Sequence, residues 1–364
     1  MRHWKICVYA IAKNEEKFVD RWVDSMSEAD CICVLDTGST DNTVELLKNR
    51  GVIVQETRIE PWRFDVARNE SMKLVPRSMD ICVSVDLDEV FEPGWANAIR
   101  RKWTKKSSLM LYYLIASHLP NGQEEASCFV RKIHKNEPKA FKWIHAIHEE
   151  LIPLIECEDV LIPEVRDHHY PDPSKSRSFY LDMMREGYKQ NPSDMRNAFV
   201  FARDFFMRDH PLFIEYMENF VKRATPEMVF EKAFGLGMLG YTYLLLEDPI
   251  KAKKSFFDSI NTSDVFRMPI LGYAICLAKE DNPEEAIIYI KKALEIKTKF
   301  TYYPDENTSW REKPYILLHD CYLCLGEYDN ALLAINKALE YRPDEKILAV
   351  KENLIKIMNE QKGS

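Results

Sequence analysis

Three short apolar runs, KICVYAIA at the amino terminus, CICVLD ending at Asp36 and DICVSVD ending at Asp86, are separated by stretches of helical periodicity. Runs of this length, rich in β-branched residues and lacking polar alternation, suit strands buried on both faces. Between them lie the helix-like EEKFVDRWVDSM and NTVELLKNRG, followed by a third-strand candidate, VIVQET. Strand and helix in alternation predict an α/β unit with a mostly parallel sheet. In such sheets ligands bind beyond the carboxyl ends of the strands. Asp36 and Asp86 each end an apolar run, so both are expected on one sheet edge. Gly38, Ser39 and Asp41 supply turn and capping chemistry for a helix starting beside Asp36, whose free N–H groups favour an anion.

After about residue 174 the strand pattern stops and helical periodicity runs to the end of the 364 residues. Ala252 and Ala286 are 34 residues apart, and Leu239, Gly240, Tyr243 and Phe256 stand around the first at tetratricopeptide offsets. Ala293 continues the second copy, and Tyr322, Ala331, Ala338 and Pro343 mark a third. Ala331 lies 45 residues beyond Ala286, one repeat plus an insertion expected within Lys297 to Lys313. The segment from Asn197 to Phe220 reads as a degenerate earlier repeat. Small residues where helices must approach closely point to stacked helix pairs. Single cores rarely exceed roughly 250–300 residues, so two domains are expected: 1–173 as the α/β unit and 174–364 as a helical linker and repeat domain.

Composition narrows the partners. A net charge of −8 weighs against a general nucleic-acid footprint, leaving RRKWTKK at Arg100 to Lys106 as a local basic stretch that reads as a solvated helix face or loop. The first apolar run, about eight residues, is too short for a signal peptide or a membrane span. Nine scattered cysteines predict a reducing compartment and a cytoplasmic protein. Cys7, Cys31, Cys33 and Cys82 fall in strand-like runs, where a thiol acts as a small buried hydrophobe. Cys321 and Cys324 form a lone CxxC in a helical pattern and are read as core packing.

Four stretches carry candidate chemistry. Asp86-Leu87-Asp88 is a D-x-D after a buried strand, a spacing that suits Mn²⁺ or Mg²⁺ shared with a diphosphate. PWRFDVARNESM sets Arg63, Arg68 and Asn69 beside Trp62 and Phe64, able to bind phosphate or a base, or simply to start a helix. WIHAIHEELIP lacks the zincin order, but a carboxylate there, Glu149 or Glu150, can act as a general base. VRDHHYPDP brings His168 and His169, either of which can add an imidazole to a metal shell begun by Asp88.

Taken in order, VYAIAKNEE, VLDTGSTDNTVE, FDVARNES, ICVSVDLDEVF, IHEEL and HHY resemble the GT-A glycosyltransferases of family two, over roughly residues 4–171. With its repeat tail the chain also resembles the bacterial subgroup that includes the S-glycosyltransferases of glycocins such as sublancin. The resemblance implies a GT-A fold followed by an all-α tetratricopeptide domain. It implies a UDP-sugar as donor, Mn²⁺ or Mg²⁺ as cofactor, and inverting transfer to a peptide, protein, glycan or other acceptor. Ile11, Lys13, Glu15, Asp36 and Thr37 would line the nucleoside pocket, Arg68 would approach base or phosphates, and Asp86 would touch ribose or metal. Asp88 would bind the metal, with His168 or His169 completing its shell. Glu149 would be the base, and because His-Glu-Glu replaces the usual acidic pair, Glu150 is the alternative. The repeats would offer a surface for the acceptor or for self-association as a homodimer. Two other readings are a glycosyltransferase acting on modified bases in DNA and a non-catalytic tetratricopeptide adaptor with a degenerate transferase domain.

Overall fold

The computed structural model describes residues 3–137, 139–175, 178–299 and 307–363, which form two compact units dividing between Gln190 and Asn191. In the first unit, the apolar runs become β1 (Ile6–Ala12), β2 (Cys31–Asp36), β3 (Ile53–Glu56) and β4 (Ile81–Ser84). The connecting segments become α1 (Val19–Ser25), α2 (Thr43–Asn49) and α3 (Phe64–Met72). Further along the chain come β5 (Glu89–Phe91), α4 (Trp95–Lys102), β6 (Leu109–His118), β7 (Glu124–Lys135), β8 (Phe141–Ile144), β9 (Glu150–Pro153), β10 (Asp159–His169) and α5 (Ser178–Gln190).

Eight strands make one sheet in the order β3-β2-β1-β4-β7-β6-β10-β5, and β8 pairs with β9 as a separate hairpin. Only β7 and β5 run against the other six. Strand β1 lies between β2 and β4, with Ala12 opposite Asp36 and Tyr9 opposite Ser84, so the ends of β2 and β4 meet the same edge. The acidic ends of the two apolar runs therefore share one rim, as the sequence predicts.

Alternation along β1 divides the core into two layers. Ile6, Val8, Ala10 and Ala12 face Val19 and Trp22 of α1, Met26 just after it, Leu47 of α2 and Trp95 and Ile99 of α4. Cys7 and Tyr9 face the other way, toward Met72 of α3 and Phe141, Trp143 and Leu151 of the small hairpin. Each large apolar side chain withdrawn from water in this way contributes about 1.5–3 kcal/mol before entropy is counted. Helix α3 is pinned to the hairpin by Asn69, which accepts from the Trp143 N–H at 3.0 Å and donates to the Trp143 carbonyl at 2.8 Å. The first unit extends past the expected boundary at 173 because α5 stays with it, Tyr180 meeting the edge of Phe64.

The second unit is helical. It contains α6 (Met195–Asp204), α7 (His210–Arg223), α8 (Val229–Leu245), α9 (Pro249–Thr262), α10 (Arg267–Lys279), α11 (Pro283–Glu295), α12 (Lys313–Cys324), α13 (Tyr328–Tyr341) and α14 (Glu345–Gly363). Asp194, Asp209, Asp248 and Asn282 cap α6, α7, α9 and α11 by accepting from a backbone N–H in the first turn. Ala252, Ala286 and Ala331 lie on the second helices of successive pairs and are fully buried. Ala293 and Ala338, one two-turn step on, are fully buried as well, and Ser259 takes that place in α9, donating to the Ala233 carbonyl at 2.6 Å. The helix pairs follow the repeat pattern. The expected insertion overlaps 300–306, outside the described residues.

Candidate active site

The opening helix turn and the strand ends build the site's floor. Asp36 spends its carboxylate on its own turn, accepting from the Gly38 and Ser39 N–H groups at 2.9 Å each and from the Ser39 hydroxyl. Gly38 holds φ at 107°, a value that suits glycine. Thr37 is buried and donates through both N–H and hydroxyl to the Ala12 carbonyl, at 2.8 and 3.0 Å. Ile11 is half-buried opposite Leu35, and Lys13 is exposed.

Glu15 receives an ion pair from Lys175, whose ammonium also donates to the Lys13 carbonyl at 3.2 Å. The segment after β10 is thus tied to the end of β1. Burial pushes the Glu15 carboxyl up, and Asp88 and Asp86 add to this against the pull of Lys175.

At the end of β4 the geometry centres on Arg68. This buried guanidinium forks onto Asp86, with Nη1 2.7 Å from one oxygen and Nη2 donating to the other at 2.9 Å. Its Nε donates to Glu149 at 2.8 Å, and Nη1 reaches the Ser84 hydroxyl at 3.3 Å. The guanidinium also stands 5.2 Å from the Trp143 ring. Glu149 follows His148, one of two nearby residues with left-handed backbone, His145 at φ 72° and His148 at φ 51°. Such conformations cost energy in a non-glycine residue and aim the loop that carries Glu149. Glu150 points elsewhere and lies 3.1 Å from Arg131.

Lys132 of β7 is a participant that sequence reading misses. It donates to Asp86 at 3.2 Å and to Glu89 at 2.9 Å, while the other oxygen of Glu89 accepts the Asp86 N–H at 2.8 Å. Its only sequence signal is a cation inside an otherwise strand-like stretch. Burial alone would raise the Asp86 carboxyl, but Arg68 and Lys132 overcome it and hold that group well below the usual carboxylate range. Glu89 and Asp167 are pushed up by burial, each worsened by neighbouring carboxylates and only partly relieved by Lys132. Glu89 is therefore a buried anchor of the turn after β4.

Asp88 turns the other way, and Nε2 of His169 lies 3.2 Å from its carboxylate. The Tyr170 N–H donates to the Asp88 carbonyl at 2.8 Å, fixing the pair. His168 is separated from this pair: its Nε2 lies 2.9 Å from Glu92 and its Nδ1 3.0 Å from His118. Adjacent residues of a strand face opposite sides, so β10 can offer one of the two histidines to Asp88, and it offers His169. Both oxygens of Asp86 are already engaged. A carboxylate and an imidazole, both partly exposed, are a donor set that fits Mn²⁺ or Mg²⁺ with further oxygens from a diphosphate.

A mostly parallel sheet whose acidic residues gather at the carboxyl ends of its strands, followed by stacked helix pairs, is a GT-A fold joined to a tetratricopeptide-type region. Residues 7–146 match the family model described as glycosyl transferase family 2. The matched segment covers Ile11 through Asp88 but stops short of Glu149 and the two histidines.

Among solved structures, the chain is similar to YrrB, described as a TPR protein with an unusual peptide-binding site. The identity is 16% over 47% of this chain and 81% of that one, with a TM-score of 0.38. It is also similar to TTC0263, a thermophilic TPR protein of Thermus thermophilus, at 17% identity over 48% and 88%, TM-score 0.34. A crystal structure of MamA shares 16% identity over 45% and 81%, TM-score 0.37. No curated protein matches the chain.

Proposed function

We propose that this chain is an inverting, metal-dependent glycosyltransferase that moves a sugar from a nucleoside diphosphate, UDP foremost, to a peptide or protein acceptor. The observation that carries this reading is the grip of one buried arginine on two carboxylates from different loops, Asp86 and Glu149, beside the Asp88–His169 pair. The match to glycosyl transferase family 2 supports the reaction class.

In this mechanism Glu149 takes the proton from an acceptor hydroxyl or thiol as that atom attacks the anomeric carbon. The diphosphate leaves from the opposite face, which inverts the configuration. Arg68 donates a hydrogen bond to the Glu149 carboxylate and orients it, while Lys132 and Arg68 together fix Asp86 at the rim. Asp88 and His169 would hold Mn²⁺ or Mg²⁺, which when bound stabilises negative charge developing on the departing diphosphate. Ile11, Lys13, Glu15, Asp36 and Thr37 would form the nucleoside side of the pocket. The helix pairs would offer the acceptor an extended surface, the usual product of stacked repeats. Its sulfur or oxygen nucleophile follows the resemblance to the glycocin S-glycosyltransferases.

The test is a panel of nucleotide sugars incubated with the protein, with and without Mn²⁺ or Mg²⁺, followed by detection of free nucleoside diphosphate and of glycosylated peptides containing Cys or Ser. Turnover of a UDP-sugar only with metal is the expected result. Neither binding nor turnover of any donor with metal present overturns the reading.

A further inference from the structure

At the end of the sheet away from the acidic rim, three thiols meet. Cys31 and Cys33 are two residues apart on β2 and so lie on one face, and Cys7 of β1 is the register partner of Cys31. The Cys33 sulfur stands 3.6 Å from that of Cys7 and 3.8 Å from that of Cys31, and all three lie within 4.8 Å of one another. Cys7 is five residues upstream of Ala12, which puts the cluster roughly 16 Å along the strand from the rim.

We propose that Cys7, Cys31 and Cys33 form a three-thiolate site for a soft closed-shell metal ion of the zinc, cadmium or copper(I) class, separate from the Asp88–His169 centre. With zinc–sulfur bonds of about 2.3 Å, a tetrahedral or trigonal ion separates its sulfurs by about 3.8–4.0 Å. The thiols already stand near that spacing, so little movement is needed. Their surroundings are sulfur-rich and polarisable, since Met72, Met79, Cys82 and Cys157 belong to the same cluster, and such donors select soft ions. Access exists from one side, because Cys31 is half-buried while Cys7 and Cys33 are fully enclosed.

Charge is managed as well. Uptake of a divalent ion replaces three S–H protons, which pass to solvent, and leaves one net negative charge on the site. Arg100, 2.8 Å from Asp30, offsets the carboxylate that precedes Cys31 at the same strand end.

The test uses the full chain carrying Cys324→Ser, which removes the exposed thiol, in reduced and metal-free form. Titration with Cd²⁺, read by thiolate-to-cadmium ultraviolet absorption, should show one saturable thiolate site with proton release and competition by Zn²⁺. Cys31→Ser, at the accessible start of β2, should weaken Cd²⁺ affinity roughly a hundredfold or more, since even an outer-shell partner is worth about 10–100-fold. Cys276→Ala, on α10 in the helical unit, should leave the affinity unchanged. Absence of stoichiometric uptake, or uptake that survives Cys31→Ser in a chain of unchanged melting temperature, overturns the proposal.

Discussion

Arg68 and Glu149, 81 residues apart in the chain, are joined by one hydrogen bond of 2.8 Å, and the same guanidinium forks onto Asp86. One cation thus serves two carboxylates, and its removal takes this partner from Glu149 and leaves Asp86 to Lys132. Arg68→Met should cost about 3–5 kcal/mol of stability, the usual penalty for breaking a buried pair from one side. Urea unfolding measures it. Arg68→Lys, with a point charge in place of a fork, should recover only part of the loss. A loss below about 1 kcal/mol for Arg68→Met would show that this network does not hold the rim together.

Glu149→Gln should keep donor binding and lose transfer by about 10²–10⁴-fold, the range expected for removal of a general base. Glu150→Gln should stay near wild type because its carboxylate is committed to Arg131. Donor binding by calorimetry and transfer by product analysis separate the two effects. Equal rates for Glu149→Gln and wild type remove Glu149 from the base role.

His134 provides a pH test of the core. Trp143 Nε1 donates to the Tyr9 hydroxyl at 2.9 Å, and that hydroxyl lies 3.0 Å from Nε2 of His134. Nδ1 of His134 lies 2.9 Å from the Lys135 carbonyl, which can only accept. Nδ1 therefore carries a proton, and in the neutral ring Nε2 accepts from Tyr9. Burial, against the Lys135 hydrogen bond, pushes His134 from 6.5 down to about 4. The unfolded chain then binds the extra proton between those values, so this group's stabilisation is complete above pH 6.5 and is lost as pH falls toward 4. The shift corresponds to about 3 kcal/mol. The stability difference between wild type and His134→Gln, followed by urea unfolding from about pH 7.5 to about 4.5, should shrink over that window. A difference independent of pH would contradict the assignment.

In the helical unit, Phe256 of α9 packs its ring where a side chain on Gly240 of α8 would stand, a Cβ there meeting the ring at 2.6 Å. Gly240→Ala should destabilise the unit by about 1–3 kcal/mol through overpacking. Phe256→Leu in the same chain should return part of that loss by vacating the space. Thermal melts of the single and double variants check the coupling.

Much of this fold is legible in the order of the amino acids. CICVLD becomes β2 with the same bounds, Cys31–Asp36, because a short run of β-branched and apolar residues has few options besides a buried strand. The 34-residue spacing of Ala252 and Ala286 marks two equivalent helices because only small residues allow such close approach. Less was legible at the site. The stretch FDVARNES reads equally as a segment that binds phosphate or a base or as a helix start. In the folded chain it is a helix whose Arg68 faces inward, with partners 18 and 81 residues away. No local pattern carries those pairings.

The chain by itself determined the α/β order, the helix-pair repeats and the gathering of acidic residues at strand ends, since these follow from local periodicity and from the parallel arrangement it enforces. Tertiary structure alone decided which acidic residues remain open to a ligand. Asp86 is consumed by Arg68 and Lys132, and Glu89 by Lys132 and a backbone N–H, while Asp88 faces His169. The choice of His169 over His168 depends on how β10 lies against β5, where His169 stands opposite Glu89. Strand parity makes the two imidazoles face opposite sides, but only the pairing register says which side holds the acid.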